Sequence, residues 1–432
     1  MKKNIFIEFI KYTSANIFSM VGISCYILAD TYFIARELGA DGLTSLNLAI
    51  PIFSFIYGIG LMLGIGGATR YSILKSQIKN NDANRVYTNT IMIGGCFSFA
   101  FFIAGFAFSD MIARLLGADD VVSGMTKTYL QVILLCSPMF IINSILLCFL
   151  RNDGAPGLSM IAMLCASASN IVFDYLFIVR LQMGMFGAAV ASGIAIAVGL
   201  IIISTFFIRK KNNFHLIKCA VSKKIANSIF STGLPTFVSE VSAGAVIITF
   251  NIIILRLSGN TGVAAYGIIA NISVVVLSIY NGIAGGVQPL ISRYYGLGES
   301  INIRKVLRYA LLMMFIFSAV FYVYAFFGAS QIAGIFNSES NPVLQSIAVK
   351  GIRLYFTACI FAGFNIIISI YFTSTENVRP AHIISVLRGF LLIIPMAFLL
   401  SSIGGMTGVW LTFPVTELIV GLFAIYIFIR IP

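Results

Sequence analysis

The chain has 432 residues, 59% of them hydrophobic and only 10% charged, with a formal net charge of +13 and a mean hydropathy of +0.99. A soluble core of this length cannot hide so much apolar surface, so a soluble globular class is excluded and the chain reads as an all-α polytopic membrane protein. Nor is the positive charge a nucleic-acid footprint: with both termini inside, 20 Lys and Arg fall on inner loops or inner helix ends, seven fall outside, and Arg388 lies within a helix, which is the positive-inside pattern.

A window of about twenty residues, enough to cross roughly 30 Å of hydrocarbon, finds about twelve apolar helices. Their approximate bounds are 12–35, 43–71, 87–110, 125–150, 157–180, 187–208, 229–257, 262–292, 309–330, 344–374, 380–402 and 406–430. The alternation of a β-barrel is missing. The start, Met1 to Lys11, reads as a retained amphipathic segment at the inner surface, without a small-residue cleavage site. The first helix carries Asp30, the fourth Tyr129, the fifth Asn170 and Asp174, and the sixth Ser192. The basic stretch from Arg209 to Lys224 reads as a topology determinant solvated by cytoplasm and lipid headgroups. It marks the boundary between a six-helix lobe over 1–210 and another over 229–432, with a linker over 211–228. The seventh helix holds Pro235, Glu240 and Asn251, the eleventh Arg388 and the last Glu417. Seven scattered cysteines, with no CxxC, read as packing residues, and His215 and His382 have no partners for a metal site.

The two lobes read as a duplication. Leu38-Gly-Ala-Asp-Gly42 aligns with Ser258-Gly-Asn-Thr-Gly262, Asn84-Arg85-Val86 with Arg304-Lys305-Val306, Arg151-Asn-Asp-Gly-Ala-Pro156 with Thr375-Glu-Asn-Val-Arg-Pro380, and Met185-Phe-Gly187 with Met406-Thr-Gly408. Each half has an even number of helices, so the repeat is parallel, with its pseudo-twofold axis along the membrane normal. The glycines of Gly58-Ile-Gly-Leu-Met-Leu-Gly-Ile-Gly-Gly67 and Gly282-Ile-Ala-Gly-Gly286 sit in equivalent helices. Close packing through small residues is favoured there over a hinge or substrate role.

Asp30 and Asp174 stand where lipid-spanning helices should be apolar, which makes each a functional candidate. Asn170 and Asp174 are four apart and share a helix face. With Asp30 they would surround one small cavity, whose hard oxygens suit Na⁺; two close carboxylates resist ionising together, so the same place suits H⁺. Ser192 and Tyr129 are candidate hydroxyls, or make ordinary interhelical hydrogen bonds. In the second lobe, Pro235 should kink the helix and free backbone carbonyls near Glu240. Glu240 is read as a site for a second cation or a cationic substrate, with inter-bundle hydrogen bonding as the alternative. Asn251 corresponds to Asp30, so charge coupling is expected in the first lobe. Arg388 either pairs with a buried acid or snorkels to the inner surface, and its place near the inner end favours snorkelling; Glu417 is open in the same way.

No GxxxxGK[ST] loop, nucleophile with its base, or metal cluster is present, so an ATP-driven pump and an enzyme are both disfavoured. Taken together, Asp30-Thr-Tyr-Phe-Ile-Ala-Arg-Glu-Leu-Gly39, Asn170-Ile-Val-Phe-Asp174, Gly233-Leu-Pro235 with Glu240, and Gly286-Val-Gln-Pro-Leu-Ile-Ser292 followed by Tyr295-Gly296 resemble the prokaryotic multidrug and toxic compound extrusion (MATE) family over nearly the whole chain. The resemblance is to the branch with DinF-like and MepA-like exporters. It implies a V-shaped pair of six-helix lobes in the cytoplasmic membrane, with both termini cytoplasmic, acting as a monomer. The lobes would alternate in access while exchanging Na⁺ or H⁺ for amphipathic, often cationic, compounds, with no cofactor beyond the coupling ion and no nucleic-acid partner. It also implies a cation site at Asp30, Asn170 and Asp174 with a hydroxyl at Ser192. Two departures stand out: Ala15 where many relatives carry proline, and no acid near Asn365 for a Na⁺ site in the second lobe. The alternative function is a flippase for lipid-linked saccharides, which needs cavity cations for phosphates, and Arg388 is the plausible membrane-embedded one.

Overall fold

The apolar runs are helices in the computed structural model, which describes residues 4–337 and 341–430 and contains no strand among them. Met1, Lys2 and Lys3, the basic head of the expected surface segment, lie outside the described residues. Helix α1 (Ile5–Ser76) begins at once, capped by Asn4, whose side-chain oxygen accepts from the Phe6 amide.

At 72 residues, α1 would run for roughly 100 Å if straight, about three times the hydrocarbon thickness. It doubles back at Gly39, where φ 63° and ψ −152° suit a residue without Cβ. The reversal is visible in a shared cavity: Met20, Ile23 and Tyr26 of the first limb meet Leu61, Tyr57 and Phe53 of the second. The next helices are α2 (Asn80–Ala107), α3 (Ser109–Leu115), α4 (Ser123–Leu135), α5 (Ser137–Asn152), α6 (Pro156–Asp174), which runs on into a π turn over Tyr175–Arg180, and α7 (Gly184–Ile208). The pair α4 and α5 is one span bent by 49°, at Pro138, which has no amide to continue the helix. Six spans thus precede the linker.

The second half repeats the plan. Helix α8 (Lys223–Gly296) folds back at Gly259 with φ 60° and ψ −159°, 220 positions after Gly39 and nearly the same in conformation. It is followed by α9 (Ser300–Phe336), α10 (Pro342–Tyr355), α11 (Cys359–Ser374), α12 (Val378–Val386) with a π turn over Leu387–Leu391, and α13 (Ile393–Arg430), folded at Gly405. Ile78 and Gly298 end the second and eighth spans in the same left-handed conformation, φ 63° and 73°. Asn143 faces Gly199 as Asn365 faces Gly421. The offset seen in the sequence is therefore also an offset in backbone and packing.

Each half has its own apolar core, but their ends are exchanged on the basic side. Phe9 and Tyr12, at the start of α1, join the core of the second half, while Ile229 of α8 joins the first. Here the lobes touch backbone to backbone: a Cβ on Gly233 would lie 1.9 Å from the Met62 carbonyl oxygen, and one on Gly66 would lie 2.1 Å from that of Ile229. The glycines serve close packing between lobes. Polar clamps flank them. Arg293 pairs with Glu8 at 2.5 Å, Arg70 with Glu376 at 2.7 Å, and Gln288 bridges Asn152 and Thr69.

The linker departs from the expected solvated loop. Phe214 is fully buried among Tyr71, Tyr87, Phe149, Phe206 and Phe207. Backbone amides of His215, Ile217 and Ser222 donate to Asn84, Thr88 and Asn89 of α2. Asp153 accepts from Lys75, Tyr71 and the Asn213 amide. The basic side chains face out, and one aromatic residue in their midst staples the linker to the first lobe.

Gly233→Val is expected to open the closed face. Forced overpacking costs about 1–3 kcal/mol, a shift of roughly 5–150-fold between the two lobe arrangements. The check is maleimide labelling of Ser76→Cys, which lies against Gly296 across the contact, in a background with exposed Cys25 and Cys96 replaced by Ser; the substitution should speed it at least about fivefold.

Candidate cation site

The first limb of α1 and α6 run side by side because a glycine lets them. A Cβ on Gly22 would press within 2.7 Å of Leu164 and lie near Ser167, and further along the same pair Phe33 meets Tyr175 at 6.2 Å between rings. In that parallel register, residues 22, 26 and 30 face 167, 170 and 174, each set spaced at helical turns. Tyr26 and Asp30 are thereby set against Asn170 and Asp174. Asp174 is the last residue of α6, and the π turn begins at the next residue; such turns redirect side chains and recur at functional sites.

The acids and the amide are buried, as is Tyr129: Asp174 is 0% exposed, Asn170 1%, Tyr129 5% and Asp30 9%, while Tyr26 and Ser192 are half-buried. Asn170 donates from Nδ2 to Ser192 Oγ at 3.3 Å. Tyr26 and Tyr129 lie within electrostatic reach of both carboxylates, and the carboxylates of each other. Among the described residues, Asp30 Oδ1, Asn170 Oδ1 and both oxygens of Asp174 have no hydrogen-bond donor. Four orphaned oxygens of two acids and an amide are costly in a dry interior unless a cation, a proton or water meets them. Asn170 and Ser192 open onto a cavity that leaves about 70 Å³ for water centres, several times the roughly 10–15 Å³ one water needs. The donor set suits Na⁺ or H⁺; no group of three or more His, Cys, Asp or Glu is placed to hold a metal among the described residues.

The second lobe is neutralised internally. Arg388 does not snorkel: its Nη2 lies 2.8 Å and its Nε 3.1 Å from Glu417 Oε1, with the Glu417 side chain 2% exposed. Asn365 donates to Glu417 Oε2 at 2.6 Å. The reason is depth: Arg388 sits in the π turn that faces α13 across the Gly405 fold, and a buried carboxylate there outweighs the reach to the surface. The same pair takes Arg388 out of reach as a substrate group. Pro235 frees the Ser231 carbonyl, as the missing amide requires, but His382 Nε2 donates to it at 2.5 Å. Glu240 packs beside Gly58 of the first lobe, near Tyr57, and it has neither hydrogen bond nor ion pair among the described residues. Asn251 is half-buried and also makes no side-chain hydrogen bond among the described residues.

Sequence reasoning passed over Tyr26, four residues before Asp30, although that spacing alone put it on the acid's face. It also passed over Arg151 and Asn143, which line the cavity; Arg151 looks like an ordinary residue at an inner helix end, and Asn143 like an isolated amide within an apolar run.

Comparison with known proteins places this geometry. The multidrug export protein MepA of Staphylococcus saprophyticus is 28% identical over 405 residues, covering 93% of this chain and 88% of the relative. A Staphylococcus aureus MepA is 26% identical over 406 residues, with the same coverage. Three solved structures share the fold: MATE in complex with MaL6, TM-score 0.93 at 20% identity over 100% of this chain and 98% of that one; an outward-facing multidrug resistance MATE family transporter of the MOP superfamily, TM-score 0.92 at 20% over 98% and 95%; and a MOP superfamily transporter from Pyrococcus furiosus with a binding pocket described as of reverse polarity, TM-score 0.90 at 21% over 98% and 95%. The MatE family profile matches residues 15–176 and 235–399, one stretch in each lobe, and the chain belongs to the MatE family.

Proposed function

We propose that this protein is a cation-coupled antiporter of the cytoplasmic membrane, exporting small amphipathic, often cationic, compounds by alternating access. The observation that carries the reading is the set of orphaned oxygens on Asp30, Asn170 and Asp174. Na⁺ or H⁺ satisfies them, and its arrival and departure changes the charge of one lobe only. Multidrug export by the MepA relatives supports the substrate class. With the basic loops cytoplasmic, the glycine contact closes the cytoplasmic side. Binding of the cation stabilises one lobe arrangement over the other, and release on the low-cation side returns it.

The flippase reading loses Arg388 as its phosphate cation, since that side chain is paired with Glu417, which leaves Arg151 as the charged residue lining the first-lobe cavity. Efflux of a fluorescent organic cation from proteoliposomes, under an imposed Na⁺ or H⁺ gradient, tests the proposal. Flux should rise with one of the two gradients; flux indifferent to both overturns it.

A further inference from the structure

Arg151 is the charged side chain among those lining the first-lobe cavity, and it is 6% exposed. Its Nη1 donates to Asn16 Oδ1 at 2.5 Å and its Nη2 to Cys148 Sγ at 3.1 Å. Its Nε is buried without an acceptor. Among the described residues, no carboxylate lies within ion-pair distance. Asp153, two residues on, is occupied by Lys75, Tyr71 and Asn213, and Glu240 approaches Tyr57 from the other lobe without pairing. A guanidinium offers five N–H groups in a planar fork, and two are used. Burying such a cation beside neutral groups alone is costly, and Asn143, two turns away along the same helix and also lining the cavity, keeps an unpartnered Oδ1.

We propose that Arg151 is an anion subsite of this cavity, taking the carboxylate of a small amphipathic acid. The planar fork matches a carboxylate, while Met20, Phe53, Phe140 and Met163 take the apolar body. A phosphate dianion would need more donors than one guanidinium supplies in so apolar a cavity. The cavity then has two ends of opposite character: Arg151 at one, and Asn170 with Ser192, beside the acids, at the other. This goes beyond the coupling proposal, and its test reads binding alone, so either idea can fail without the other.

The probes are hexanoate and hexanol, titrated by calorimetry into the full-length protein in lipid nanodiscs, with empty nanodiscs subtracted. Hexanoate is expected to bind at least tenfold more tightly than hexanol. Arg151→Gln should bring hexanoate to the level of hexanol and leave hexanol unchanged, while Arg151→Lys should keep part of the preference. Met163→Trp, which fills the cavity and leaves the Arg151 clamp intact, should remove both. Equal affinity of the two probes in the parent, or hexanoate binding that survives Met163→Trp, overturns the proposal whether or not Arg151→Gln folds.

Discussion

Asp174→Asn is expected to abolish gradient-driven efflux, by about a hundredfold, equivalent to roughly 2.7 kcal/mol, while the protein melts at the same or a higher temperature. Both oxygens of Asp174 are buried and without donors, so the acid contributes nothing to folding that an amide of the same shape would lose. An isosteric amide removes the cost of a buried charge and with it the ability to exchange a cation, the usual opposition of stability and activity at a working site. Asp30→Asn should act in the same direction. Exchange of labelled for unlabelled substrate, which needs no ion gradient, should persist in both variants. A large fall in melting temperature with retained coupled efflux would mean that the acid is structural.

Glu417→Ala is expected to do the reverse. It leaves Arg388 buried without its counter-ion and Asn365 with only the backbone carbonyl of residue 417 as acceptor, and breaking a buried pair costs about 3–5 kcal/mol. Unfolding followed in nanodiscs should show this loss. Replacing both members with Met should recover most of it, since apolar substitutes for a buried pair are often neutral. The ion selectivity and gradient dependence of the doubly substituted protein should match the parent; uncoupled flux instead would make Glu417 part of the ion path.

The contrast between the two lobes explains what was legible. Asp30, Asn170 and Asp174 stand out in sequence because each breaks an apolar helix, and the spacing of Asn170 and Asp174 is local. The register that joins them to the first limb rests on Gly22, whose meaning appears only when Leu164 is seen against it. The pairing of Arg388 with Glu417 joins different helices through a fold at Gly405, so no local pattern marks it. Pro235 announced a freed carbonyl on Ser231, but the donor that meets it, His382, lies 151 positions from Ser231. Phe214 is a lone aromatic residue within a charged run, and a count of charges hides it. The folding back of α1 and α8 was half visible: the aligned glycines Gly39 and Gly259 were found by the repeat, and their shared left-handed conformation supplies the reason.

The central claim is that the two carboxylates of the first lobe exchange a cation or proton in place. Attenuated total-reflection infrared spectra of the protein in lipid, recorded as the medium is switched from Na⁺-free acid to Na⁺-containing alkaline buffer, test it most directly. A protonated-carboxyl band that disappears on addition of Na⁺ or base, and is absent from the Asp30→Asn/Asp174→Asn protein, is the expected result. A band indifferent to both, or one that persists in the doubly substituted protein, would contradict the account.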